Sequence, residues 1–137
     1  MTDEEFLAAL ENCTLPESEF GHVSHVRATY LYLRQSDFTG ALERIRRAIR
    51  NYAAHAGKPD RYHETITVAY VALIQQHICE RGDAGGWVAF ARENPELFKP
   101  DLLSQFYPEA QLASELARRV FLLPRSSPAQ SPACARG

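Results

Sequence analysis

The chain has 137 residues, enough for one compact domain, and its 45% hydrophobic content is sufficient for a buried core. The formal net charge of −2 provides no basic field, which argues against nucleic-acid binding. No apolar run reaches the roughly 18 residues that a membrane-spanning helix needs, and the acidic residues 1–5 do not resemble the start of a signal peptide. We therefore expect a cytoplasmic protein that binds neither nucleic acid nor a membrane.

Hydrophobic spacing predicts helices in the first half of the chain. Thr2 is placed to cap a first helix with an acidic opening turn, and a second helix should run from about residue 17 or 22 to Gln35. Asp37 can cap a third helix, and the Gly57 region should end it. The arginines of the third helix suggest either a phosphate-binding patch or a solvated face, and the second interpretation is favoured: Arg44, Arg46, Arg47 and Arg50.

The second half is also predicted to be helical. A fourth helix over about residues 62–81 is apolar on most sides, so we expect it to be the most buried. A short helix should span 87–93, an aromatic-rich segment 97–107 should pack over the bundle, and a last helix should run from 108 to 119. The prediction is thus all-α, a compact bundle of about four main helices with short C-terminal helices, in a single domain over residues 1–123. Residues 124–137 are rich in Ser, Pro and Ala and are predicted to be a disordered tail.

The three cysteines are odd in number and lie far apart, with no Cys-x-x-Cys pair. This spacing argues against a zinc knuckle or a thioredoxin-like motif. We expect Cys13 and Cys79 to be reduced residues within helices and Cys134 to be an exposed thiol without function.

The first polar motif is the pair His22 and His25, three residues apart at the start of the second helix. That spacing places both imidazoles on one helix face. Glu19 lies three residues before His22, a spacing that occurs in di-iron bundles, but the second copy of the motif is missing. A di-iron site is therefore disfavoured, whereas the two histidines remain candidate ligands.

The second polar motif contains His63 at the start of the fourth helix, within the string Tyr62-His63-Glu64-Thr65-Ile66-Thr67. It resembles half of the zinc-protease motif, but Thr67 occupies the place of the second histidine and is a poor zinc ligand. The second helix could supply the missing nitrogens. His22, His25 and His63 are thus the predicted metal ligands, with Glu64 an alternative third ligand, in a site for a divalent transition metal (zinc, iron, nickel or copper).

If the site is catalytic, the metal would act as a Lewis acid on a small-molecule substrate. In that case Glu64 is the predicted general base and Tyr62 the predicted proton donor, while Arg27 and Arg118 are weaker candidates for holding an anionic substrate. Two alternatives stay open for the same residues. One is a polar pocket without a metal, and the other is a purely structural role.

The combination of these motifs resembles a group of small bacterial helical proteins that are largely uncharacterised. The similarity covers about residues 20–124, and the Tyr-His-Glu-Thr-Ile-Thr string is its most specific part. The resemblance implies a compact helical domain, without implying an activity. The residues that carry its polar signature here are His22, His25, Tyr62, His63, Glu64 and Thr67. Arg125 departs from the pattern, because an acidic residue tends to follow the last proline in similar chains.

A different class of function is a non-catalytic helical interaction module. The apolar segment 97–107 could provide the contact surface of a homodimer. This hypothesis predicts that truncation of Phe98 or Phe106 abolishes association, whereas a histidine site predicts loss of ligand on mutation of His25 or His63.

Overall fold

The computed structural model describes residues 1–125, in which every regular element is helical. The predicted all-α fold is therefore confirmed, while most of the predicted tail, residues 126–137, lies outside the described part. Seven α-helices are present in that part: α1 Asp3–Glu11, α2 His22–Gln35, α3 Phe38–His55, α4 Glu64–Arg81, α5 Trp87–Glu93, α6 Glu109–Leu112 and α7 Glu115–Arg119. Short 3-10 turns lie between them: Glu17–Glu19, Pro59–Arg61, Pro95–Phe98 and Leu102–Gln105.

Side-chain caps determine where the long helices begin. Thr2 and Glu5 form a capping box at the start of α1, and the Asp37 carboxylate accepts a hydrogen bond of 2.9 Å from the Gly40 amide at the start of α3. These two predicted caps are confirmed. Helix α4 begins two residues later than its spacing predicted, because the side chain of His63 caps it.

The core lies where α2, α3 and α4 pack against one another, with α1 against α3. Helix α2 contributes the largest fully buried side chains, Tyr30 and Tyr32, and six of its 14 residues are buried. In α4, five of 18 residues are buried. The prediction that α4 is the most buried helix was therefore wrong, because α2 lies between α3, α4 and the short elements around α5.

The C-terminal elements close one side of the bundle. The segment 97–107 forms two 3-10 turns and turns most of its apolar side chains inward, burying Leu97, Leu102, Leu103 and Tyr107. The single last helix predicted over 108–119 was wrong. This stretch is divided into α6 and α7, because the Ser114 hydroxyl accepts a hydrogen bond from the Ala117 amide and caps the start of α7.

The cysteines of the described part are unpaired. Cys79 lies on α4, as predicted, but Cys13 follows the end of α1 and has a φ of 61°, so it is not a helix residue. Cys134 lies outside the described residues. Within residues 1–125, every helix is too short or too polar to cross a bilayer.

Candidate functional site

The three predicted histidines meet in one cleft between α2, α4 and the C-terminal turns. His22, His25 and His63 line a cavity of about 210 Å³, and a neighbouring cavity of about 310 Å³ shares His22 and Ile66 with it. We call the two cavities together the histidine cleft. The first is completed by Phe20, Gly21, Ile49, Arg61 and Thr67, and the second by Tyr70, Pro100, Leu103, Ser104 and Leu112.

His25 has a ring nitrogen without a partner. Its Nε2 atom is buried and forms no hydrogen bond with any residue of the described part. Burial lowers the pKa of His25 to about 4, and the neighbouring charge of His22 contributes in the same direction. The imidazole is therefore neutral at neutral pH, with an unsatisfied polar atom, which is costly in a protein interior unless a ligand or water contacts it.

His22 is partly engaged by the protein. Its Nε2 atom lies 2.8 Å from the carbonyl oxygen of Leu97, which as an acceptor requires this nitrogen to carry the proton. The ring also packs edge-on against Tyr70, with 5.0 Å between centroids. This contact fixes the imidazole at the boundary between the two cavities.

His63 is engaged on both nitrogens. Nδ1 accepts a hydrogen bond of 3.1 Å from the Ile66 amide and so caps α4, while Nε2 lies 2.8 Å from the carbonyl oxygen of Leu112 and donates to it. These partners assign the neutral tautomer with the proton on Nε2. A metal ion at His63 would have to replace one of these two backbone hydrogen bonds. In this structure the His63 side chain instead joins the start of α4 to the Leu112 carbonyl.

One turn after His25 and one turn after His63, a threonine hydroxyl donates a hydrogen bond to the main-chain carbonyl of that histidine. Thr29 Oγ1 donates to the His25 carbonyl and Thr67 Oγ1 to the His63 carbonyl, each over 2.8 Å. The Thr67 hydroxyl proton is thereby used, which leaves its oxygen as an acceptor on the cleft wall.

Among residues 1–125, the cleft wall carries one permanent charge, the exposed guanidinium of Arg61, and no carboxylate. Glu19 does not join it. That residue lies in the 3-10 turn Glu17–Glu19 rather than on α2, so the helical spacing assumed between Glu19 and His22 is absent. The cleft therefore favours a neutral or anionic ligand over a cation.

The predicted catalytic pair Tyr62 and Glu64 forms a separate cluster with Arg46. Glu64 Oε1 accepts from the Tyr62 hydroxyl over 2.5 Å and from Arg46 Nε over 3.1 Å. Burial and the contact with Glu64 raise the pKa of Tyr62 to about 12, so the phenol keeps its proton at neutral pH. Neither residue lines the histidine cleft. Glu64 is thus beside the predicted ligands in sequence but not in the cavity wall.

The weaker anion-binding candidates are both ion-paired. Arg27 lies 2.8 Å from the Asp3 carboxylate, and Arg118 pairs with Glu115. Among residues 1–125, no three His, Cys, Asp or Glu side chains are grouped in a way that could hold a metal ion. The donor chemistry agrees with this, because His63 is fully engaged and the cleft lacks a carboxylate to offset a dication beside Arg61.

Sequence reasoning missed Tyr70, Ile66 and Arg61 as cleft residues. His63, Ile66, Thr67 and Tyr70 follow helical spacing, so a common face could have been read from the sequence, but Tyr70 was assigned to the apolar core. Arg61 lies in the turn Pro59–Arg61, where spacing alone gives no direction to the side chain.

Comparisons with protein-family models, with curated proteins and with solved structures found no match to this chain. The resemblance to the bacterial group noted from its motifs therefore stays a prediction.

Proposed function

We propose that the protein binds a small organic molecule in the histidine cleft and that His25 contacts its polar end. The observation that carries this proposal is that His25 lines the cleft while its buried Nε2 atom has no hydrogen-bond partner in the described residues. A ligand atom there would satisfy a group that otherwise reduces the stability of the fold.

The remaining cleft wall indicates the kind of molecule. Ile66, Tyr70, Leu103 and Leu112 supply an apolar surface in the larger cavity. In the smaller cavity the imidazoles and Arg61 supply polar groups beside the apolar Phe20 and Ile49. An apolar body joined to a carboxylate fits this division, since the body removes apolar surface from water and the carboxylate lies near the one permanent cation.

The test is ligand-observed NMR with hexanoate, benzoate and phenylacetate, each compared with its primary amide. We expect at least one acid to bind more tightly than its amide, and His25→Leu, which removes both ring nitrogens at similar volume, to weaken binding about tenfold. His55→Leu is the matched control, because His55 is exposed at the end of α3 and lines neither cavity of the cleft.

Two results would contradict the proposal. One is that none of the acids binds the wild-type protein, and the other is that His25→Leu binds as tightly as His55→Leu. The thermal stability of each variant is measured first, so that a loss of fold is not mistaken for a loss of binding.

Metal binding remains a second hypothesis, because His22 and His25 both line the same cavity. Titration with zinc, iron, nickel and copper, followed by elemental analysis, tests it on the same proteins. The informative variant is His22→Ala/His25→Ala rather than one that includes His63, since loss of His63 removes the cap of α4 whether or not a metal binds. Near-stoichiometric metal that is lost in this folded variant would favour the metal site over the organic ligand.

A further inference from the structure

A second concave site includes residues of the turn Pro59–Arg61 and is lined by arginines. Arg50 from α3 and Arg118 and Arg119 from α7 contribute to a cavity of about 480 Å³, completed by Pro59, Asp60, Tyr62 and Glu115. These residues come from three separate parts of the chain, which α3 and α4 bring together. We call this the arginine cavity.

The three guanidinium groups differ in their partners. Arg118 pairs with Glu115 and donates a hydrogen bond of 2.7 Å to the Asp60 carbonyl oxygen. Its charge is therefore offset by the two acidic residues that line the cavity, Asp60 and Glu115. Arg50 and Arg119 form no ion pair within residues 1–125. The remaining residues, 126–137, contain no acidic side chain that could pair with them.

Arg50 is also held in position. Its guanidinium carbon lies 4.8 Å from the centroid of the Tyr62 ring, and the Tyr62 hydroxyl is fixed by Glu64. A guanidinium that stacks on a fixed aromatic ring keeps its in-plane N–H donors free for a planar or tetrahedral anion, and less side-chain entropy is lost when the anion binds.

A second arginine-lined cavity provides an internal comparison. Arg44 and Arg47 line it together with Glu11, but Arg44 pairs with Glu11 and Arg47 pairs with Glu43. Both cavities include residues of α3, yet only the arginine cavity has guanidinium groups without carboxylate partners. The absence of partners is therefore not a general property of this helix.

We propose that the arginine cavity binds a phosphate monoester, with Arg50 and Arg119 as the residues that contact its dianionic phosphate. Two unpaired cations match a dianion better than a monoanion, and the cavity volume leaves room for the organic group of the ester. This inference is independent of the ligand in the histidine cleft, because the two cavities have no lining residue in common.

The experiment measures binding of phenyl phosphate by calorimetry, with phenyl sulfate as the singly charged analogue of the same shape and inorganic phosphate as the anion alone. We expect phenyl phosphate to bind more tightly than either. Arg50→Gln and Arg119→Gln should each weaken binding about tenfold, since each removes a charge-assisted hydrogen bond.

The matched control is Arg47→Gln, one turn from Arg50 on the same helix and paired with Glu43. It should leave the affinity within about twofold of the wild type, because Arg47 does not line the arginine cavity and the charge that is lost is exposed and screened by solvent. Exposed Arg119 gives a test that does not depend on Arg50 and its contact with Tyr62, should Arg50→Gln disturb the fold. Absence of phenyl phosphate binding, equal affinity for phenyl sulfate, or an equal effect of Arg47→Gln would overturn the proposal.

Discussion

The three cleft histidines have the same side chain but different hydrogen-bonding states. His63 uses both ring nitrogens to bind the main chain, His22 uses Nε2, and His25 leaves a buried Nε2 without a partner in the described part. A buried imidazole without a partner resists protonation, because the charged form would lose its hydration. The functional proposal and the pH dependence of stability both follow from this state of His25.

We expect acid to destabilise the fold through His25. In the unfolded chain His25 has its ordinary pKa of 6.5, and in the folded protein about 4, so between these values the unfolded state binds more protons. The stabilisation of the folded state by neutral His25 is fully present above pH 6.5 and is lost as the pH falls towards about 4. This loss lowers the free energy of unfolding by up to about 3 kcal/mol.

Urea denaturation at a series of pH values checks this prediction, with the wild type compared with His25→Leu. The variant should lose less stability between neutral pH and about pH 4, because it lacks the group whose pKa is lowered. His55→Leu should follow the wild-type curve. Parallel curves for wild type and His25→Leu would show that His25 is solvated in solution and would remove the main support for the cleft as a ligand site.

At the scale of elements, the C-terminal segment after α7 is fastened to the bundle by side chains from other elements. The buried Thr65 hydroxyl on α4 lies 2.7 Å from the Ala117 carbonyl and 2.8 Å from the Val120 carbonyl, and it accepts the Leu122 amide over 3.1 Å. Tyr107 donates to the Leu122 carbonyl over 2.8 Å. A short segment without regular structure thus has its main-chain groups satisfied by α4 and the turns.

We expect Thr65→Val to lower the free energy of unfolding by about 2 kcal/mol, because the valine keeps the shape but leaves buried main-chain groups without partners. Hydrogen exchange should also accelerate at the Leu122 amide, which loses its acceptor. Chemical denaturation and exchange measured by NMR check both effects.

Thr39→Val is the control for this prediction, since Thr39 is exposed on α3 and a surface change of this kind alters stability by no more than about 0.5 kcal/mol. If both variants have the same stability, Thr65 does not hold the C-terminal segment. Helix α7, which contributes Arg118 and Arg119 to the arginine cavity, immediately precedes this segment.

At the scale of the whole molecule, the segment 97–107 contributes more to the core than to an exposed surface. The homodimer hypothesis assigned segment 97–107 to an interface, but Leu97, Leu102, Leu103 and Tyr107 are buried within the chain. Phe98 packs against Trp87, with 5.9 Å between ring centroids, while Phe106 is 43% exposed. One exposed aromatic side chain is a small fraction of a stable interface.

Truncation of the two phenylalanines should therefore have different effects. Phe98→Ala should lower the free energy of unfolding by about 2 kcal/mol through lost packing, whereas Phe106→Ala should change it by less than about 1 kcal/mol. Sedimentation velocity should give the same oligomeric state for Phe106→Ala and wild type. Dissociation of a dimer in Phe106→Ala would instead support the interaction module.

The all-α fold and most helix limits could be predicted from the sequence, because caps and hydrophobic spacing act over a few residues. Thr2, Asp37 and the start of α5 at Trp87 follow from such local signals. The division of the last helix at Ser114 was missed, although the serine cap is also local. The sequence also predicted that the histidines of α2 and the start of α4 lie close together, because both helices need to bury apolar faces. In the structure His22, His25 and His63 line one cavity.

Only the tertiary structure decided which histidine nitrogens have partners and which arginines converge. His63 finds the Leu112 carbonyl 49 residues away, and Arg50 shares a cavity with Arg118 and Arg119 from the far end of the described chain. Spacing along a helix places a side chain on a face but says nothing about the carbonyl or carboxylate that another element brings to it. For this reason the sequence by itself determined the helices and the polar motifs, while packing determined that, within residues 1–125, His25 Nε2 has no hydrogen-bond partner and Arg50 and Arg119 have no ion pair.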